Sequence, residues 1–202
     1  KTHFYDETTT PKTNQYIETG CYHGDGLAHV IDMYEQVHSI ELSETWYNHC
    51  VNRFKERPTA HIHFGNSKYI LPELLDTINE PVTIYLDGHF SAGETAFGEE
   101  TVDGVSSAPL LVELEVLQKR PYDDIIIIDD CRMLGKRDWI NKGCKGGLWP
   151  EYEYDWTAIT EDSIRARMKP EYEIFKNSVG KYSDGANDQW IIAIPKITES
   201  VA

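Results

Sequence analysis

Two short apolar runs each end in side chains able to do chemistry. TIYLDGH (83–89) runs into Asp87 and His89 with one glycine between them, and DDIIIIDD (123–130) runs into Asp129 and Asp130. A carboxylate buried without a partner costs several kcal/mol, so acids at the ends of apolar strands imply a compensating charge. Adjacent parallel strands bring Asp87, Asp129 and Asp130 to one sheet edge, where they repel one another unless a cation lies between them. Hard oxygen ligands with room left for water suit Mg²⁺ or Mn²⁺. The competing reading has Asp129 or Asp130 capping a turn. His89 is placed to accept a proton as a neutral imidazole, or else to make a structural hydrogen bond.

A second group of residues suits a ligand rather than a reaction. In ETGCYHGDG (18–26), Gly20, Gly24 and Gly26 let the backbone turn sharply and approach a ligand where a helix begins. The spacing is GxxxGxG with Glu18 two places before the first glycine. It departs from the dinucleotide pattern GxGxxG, which demotes a nicotinamide enzyme. A purely structural turn is the alternative. Glu41 closes HSIEL, where a carboxylate can accept both hydroxyl hydrogens of a ribose. Asn66, in FGNS with Ser67, can read an adenine edge with its amide.

These positions need a frame. Strand-like stretches at 15–20, 37–42, 60–66, 83–89 and 123–130 alternate with helical patterns at 26–36, 43–57, 67–78 and 108–120. A helix at 160–168 and strands at 172–177 and 189–195 follow. The pattern predicts a doubly wound, Rossmann-like α/β fold: a mostly parallel seven-stranded sheet with helices on both faces. Four consecutive isoleucines place 123–130 in mid-sheet. Pro72 is expected at a break or first turn of its helix. In such sheets ligands bind outside the carboxyl ends of the strands, where every polar residue named above falls. Residues 1–14 read as a flexible leading segment and 15–202 as one domain.

The chain has 202 residues and a net charge of −15. That field disfavours nucleic acid, whose binding needs basic surface. The clusters KRP (119–121) and GKR (135–137) read as solvated surface charge. No apolar run reaches the roughly 18–20 residues that span a bilayer. Cys21, Cys50, Cys131 and Cys144 lie far apart and read as free thiols of a reducing compartment.

In order and spacing, ETGCYHGDG, HSIEL, FGNS and YLDGH resemble the class I S-adenosylmethionine-dependent methyltransferases over residues 15–195. The resemblance implies that Glu18, Gly20, Cys21, Tyr22, His23, Gly24 and Gly26 line the methionine side of the cofactor. It implies that Glu41 binds ribose, that Asn66 and Ser67 meet adenine, and that Asp87 borders the cofactor. The family more often has Asp at the position of Asn66. LDGH followed by IIDD is similar to the metal-dependent macrocin-type sugar O-methyltransferases, which implies that Asp87, Asp129 and Asp130 hold a divalent metal. Where that group often has a second Asp as base, this chain has His89, which leaves the identity of the base open; Asp87 and His89 are the catalytic candidates.

The acceptor expected is a hydroxyl of a sugar or glycan. LDGH lacks the proline–aromatic motif that holds a planar amine, and Trp139, Trp149, Tyr152, Tyr154 and Trp156 offer flat faces among Gly143, Gly146 and Gly147. A lid packing its own aromatics is the other reading. HFSAGETAFGEE (89–100) forms a second rim. The resemblance further implies a viral or bacterial glycan-modifying domain, part of a larger glycan-building enzyme acting in the cytoplasm, the host's if viral. A nicotinamide-dependent sugar oxidoreductase and a non-catalytic cofactor-binding module are the alternatives.

Overall fold

The computed structural model describes residues 13–91, 95, 108–140, 152–181 and 187–196. Its strands are β1 (Gln15–Thr19), β2 (Gln36–Glu41), β3 (Ala60–Phe64), β4 (Val82–Leu86), β5 (Ile125–Ile128), β6 (Arg137–Ile140), β7 (Tyr152–Asp155), β8 (Tyr172–Lys181) and β9 (Asn187–Pro195). Helices α1 (Asp25–Val30), α2 (Glu44–Arg53), α3 (Ser67–Thr77), α4 (Leu110–Gln118) and α5 (Glu161–Arg165) lie between them.

Seven strands form one sheet in the order β3-β2-β1-β4-β5-β9-β8. The first five are mutually parallel, while β9 runs antiparallel to both of its neighbours. The chain therefore reverses its direction of travel between β1 and β4, which is the switch point where such sheets open a crevice. The expected architecture is the observed one. The four isoleucines of β5 alternate between two cores. Ile126 and Ile128 pack with Ile17, Ile84, Leu71 and Leu114 on one face, and Ile125 and Ile127 with Tyr16, Leu27 and Trp190 on the other.

Some local expectations are corrected. α3 continues through Pro72, because Leu71, Leu74 and Leu75 anchor it in the core on both sides of the proline. Helix α1 is only Asp25–Val30, much shorter than the 26–36 pattern suggested. The aromatic, glycine-spotted region contributes a separate two-stranded ribbon, β6 with β7. Arg120 is not surface charge. It is 9% exposed, its Nε sits 2.8 Å from Asp124 Oδ2, and it donates to the carbonyls of Leu75 and Glu80. Residues 1–12 lie outside the described residues. Thr13 and Asn14 are tied to Thr83 and Glu80.

Among the described residues no helix is long and apolar enough to cross a membrane.

Candidate active site

The loop after β1 is shaped by the protein's own packing. Gly20 has φ +85°, and a Cβ there would stand 2.7 Å from the carbonyl oxygen of Asp87. Gly24, at φ +79°, would meet Phe54 at 2.8 Å and Cys50 Sγ at 3.0 Å. Both conformations favour glycine. The Glu41 carboxylate clamps the same loop through Oε2, which accepts the N–H groups of Cys21 (2.9 Å) and Tyr22 (2.8 Å), while Oε1 accepts that of Ser43 at the start of α2 (2.8 Å). A carboxylate has about four lone-pair sites, so roughly one remains for a ribose hydroxyl where the sequence suggested two.

Glu18 is buried and takes a hydrogen bond from Ser39 Oγ at 2.8 Å. Burial, with smaller contributions from Cys21 and Asp87, pushes its carboxyl well above the usual range. An added Cβ at Gly26 would stand 3.2 Å from Glu18 Oε2. Cys21 and Cys50 are buried free thiols with their sulfurs 3.0 Å apart. His23 is exposed and stacks on Tyr22, with ring centroids 4.1 Å apart, beside Trp46. Asn66 caps α3, its Oδ1 accepting the Lys68 N–H at 3.0 Å. Ser67, the first residue of that helix, is buried.

Parallel pairing of β4 with β5 brings their acidic ends together. His89 lies between two of the acids. Its Nε2 is 3.2 Å from Asp130 Oδ2 and 2.8 Å from Ser91 Oγ, and its Nδ1 is 3.5 Å from Asp87 Oδ1 and 3.2 Å from the Asp87 carbonyl. Burial alone would depress this imidazole's pKa. The charge of Asp130 and the carboxylate and carbonyl of Asp87 outweigh burial and raise it to about 9. The carboxylates flanking His89 thus favour its protonated form in the ligand-free protein. Arg132 also approaches Asp130, at 3.4 Å.

Asp129 is engaged differently. Its Oδ2 accepts the Tyr85 hydroxyl and its Oδ1 accepts the Asp130 N–H at 2.6 Å. Burial, and then the charges of Asp87 and Asp130, lift its carboxyl to about 7. The ligand atoms that gather within 4.8 Å of one another belong to Asp87, His89 and Asp130. Asp129 lines the same pocket but its carboxylate oxygens lie outside that group.

The pocket at this edge is lined by Asp87, Gly88, His89, Asp129, Asp130, Glu113, Trp156 and apolar neighbours, with room for little more than an ion or a water. Two carboxylates and one imidazole with ligand atoms within 4.8 Å of one another, beside the further acids Asp129 and Glu113, form a donor set that fits a divalent cation. The imidazole favours Mn²⁺ over Mg²⁺. Sequence reasoning missed Glu113. It falls on the buried stripe Leu110, Glu113, Leu114, Leu117 of α4, so the available signal was an acid at a core position of an amphipathic helix. Burial pushes its carboxyl up to about 7, against the opposing pull of the Ser67 and Thr19 hydroxyls.

Of the aromatic candidates, Trp156 is 3% exposed and meets the His89 ring edge-on at 5.7 Å. Tyr154 is also buried, while Trp139 is 41% exposed. Tyr152 lies in β7. Trp149 and the three glycines near it lie outside the described residues, as does most of 92–107.

A second histidine group stands apart from this pocket, on β2 and β3. His38 and His61 are cross-strand partners with stacked rings 4.8 Å apart, and His38 Nδ1 lies 3.1 Å from His63 Nε2. His61 Nε2 is 2.7 Å from Gln36 Oε1. Burial, followed by the neighbouring imidazoles, lowers His38 to about 4, and His63 shifts in the same direction.

No protein-family model matches the chain, and no curated protein does. Solved structures do. The methyltransferase domain of bacterial CtHen1-CN is 15% identical with a TM-score of 0.53, over 90% of this chain and 90% of that one. A SAM-dependent methyltransferase from Anabaena variabilis is 13% identical with a TM-score of 0.52, over 94% of this chain and 80% of that one. Spermidine synthase from Thermotoga maritima is 14% identical with a TM-score of 0.54, over 94% of this chain and 55% of that one. At these identities the likeness establishes the fold, a Rossmann-like methyltransferase fold. Because fold does not fix chemistry, the reaction has to be argued from the site.

Proposed function

We propose that the protein is an S-adenosylmethionine-dependent O-methyltransferase that acts on a sugar or glycan hydroxyl with help from a divalent cation. One observation carries this reading. The glycine loop and the acid–imidazole cluster touch at the switch point, where Gly20 packs on the Asp87 carbonyl. A donor seated on the loop would therefore face an acceptor held at Asp87, His89 and Asp130. When bound, the cofactor supplies the methyl group and the cation lowers the pKa of the acceptor hydroxyl.

The chain's own residues supply the rest. Gly20 and Gly24 keep the loop close to β4 and α2. Glu41 fixes the loop and has capacity for one ribose hydroxyl. Asp87, His89 and Asp130 hold the cation. Without a cation the two carboxylates favour the protonated imidazole of His89, and once Asp87 and Asp130 hold a cation His89 would give up that proton and ligate it as the neutral ring. Aligning donor and acceptor contributes much of the rate in such a displacement. The fold and the GxxxGxG spacing favour methyl transfer over hydride transfer.

Calorimetry with S-adenosylmethionine and NADH side by side tests the cofactor. Binding of the first and not the second is expected, and the reverse result overturns the reading. A screen of sugars with methyl-labelled cofactor, with and without Mn²⁺, then tests the acceptor and the cation.

A further inference from the structure

Glu113 is 1% exposed, and neither of its carboxyl oxygens has a hydrogen bond of good geometry among the described residues, the Ser67 and Thr19 hydroxyls lying close enough only to offset part of its burial. Buried polar groups are overwhelmingly satisfied, and a buried acid left unsatisfied is a cost that folding alone does not explain. This acid lines the same small pocket as Asp87, His89, Asp129 and Asp130. An added Cβ on Gly88 would lie 3.6 Å from its Oε1, so it sits directly behind the turn that carries Asp87 and His89. An alanine at 88 would also press on Thr19 Oγ1 at 3.1 Å, which accepts the N–H groups of Asp87 and Gly88.

We propose that Glu113 completes the cation site: it is the outer acid whose unmade interactions are supplied when a divalent ion and its waters enter the pocket. The inference rests on reading this pocket as a cation site. Glu113 stands outside the set whose ligand atoms lie within 4.8 Å of one another, so it acts on the ion's field and its waters rather than as a direct ligand. Arg132 already faces Asp130 at 3.4 Å. A fourth carboxylate beside Asp87, Asp129 and Asp130 adds to the negative charge that draws in an ion of charge +2.

The test uses chelator-stripped protein and MnCl₂ as the only added ligand. Calorimetry gives the Mn²⁺ affinity, and thermal unfolding is followed with and without Mn²⁺. The wild type is expected to bind Mn²⁺ and to melt higher with it. Glu113→Gln should weaken Mn²⁺ binding on the order of 10- to 100-fold, the usual effect of removing an acid just outside a metal's ligands. Glu113→Met should melt at or above the wild type in chelator and lose most of the Mn²⁺-induced rise. Wild-type Mn²⁺ affinity in both variants overturns the role of Glu113 and leaves the cation reading standing. No Mn²⁺ binding by the wild type overturns the cation reading and this inference with it. Loss of cooperative unfolding in both variants in chelator marks Glu113 as structural and overturns the inference alone.

Discussion

Two sets of histidines in this protein sit in opposite electrostatic surroundings. His89 lies between Asp87 and Asp130 and holds its proton up to about pH 9. His38 stacks on His61 and shares a hydrogen bond with His63, with no acid in hydrogen-bond contact among the described residues, and holds its proton only below about pH 4. Both are partly shielded from water. The difference lies in the neighbours: carboxylates overcome desolvation, whereas further imidazoles reinforce it. A cluster of histidines alone would therefore have been a poor guide to the working site. A histidine placed between buried acids is the better guide.

The comparison is broken most severely by removing the acid. Asp130→Asn takes away both the carboxylate beside His89 Nε2 and one ligand atom of the proposed cation site. We expect methyl transfer to fall by at least about a hundredfold, measured with labelled cofactor at saturating Mn²⁺. Unchanged activity would remove Asp130 from the site.

Next in size is the pH dependence of His89. Its folded pKa lies above the unfolded value near 6.5, so the stability it contributes is fully present below pH 6.5 and is lost as pH rises through 9. The stability gap between wild type and His89→Gln should therefore close across that window. After discounting for solvent at the half-open Asp87, the change is about 1–2 kcal/mol. Urea unfolding at a series of pH values measures it, and a gap that widens with pH contradicts the assignment.

His38 should give the mirror image. Its folded pKa lies below the unfolded value, so stability is full above pH 6.5 and is lost as pH falls toward 4. His38→Leu should lessen that acid loss by about 1 kcal/mol, at the cost of the bond to His63. The smallest effect comes from giving the second group an acid of its own. Gln36→Glu, 2.7 Å from His61 Nε2, should lessen the acid loss by about 0.5 kcal/mol. If neither variant changes the acid limb, the imidazole group is not its source.

Much of this was legible in the sequence. Four isoleucines in a row required a strand covered on both faces, and β5 alternates between two cores. Acids at the ends of β4 and β5 had to meet once those strands paired in parallel. What local pattern could not carry was the partner of each acid. Asp129 is bound by Tyr85, which reaches it across the β4–β5 pairing, and His89 Nδ1 lies back against the Asp87 carbonyl two residues earlier. Glu113 looked like one more acid on a helix, and only the stripe it shares with Leu110, Leu114 and Leu117 marks it as buried. The β6–β7 ribbon was hidden because aromatic residues and glycines carry no clear period.

The grip of Glu41 on the loop after β1 has a consequence for recognition. Two of the loop's backbone N–H groups are already drawn onto one side chain, which Ser43 after β2 also engages, so the ligand-free turn is held in a finished shape rather than gathered around a guest. A molecule arriving there loses little affinity to ordering the chain, and is accepted or refused by how well it matches a surface that does not adapt to it. Releasing that grip with Glu41→Gln would make the seat more permissive and slower to fill.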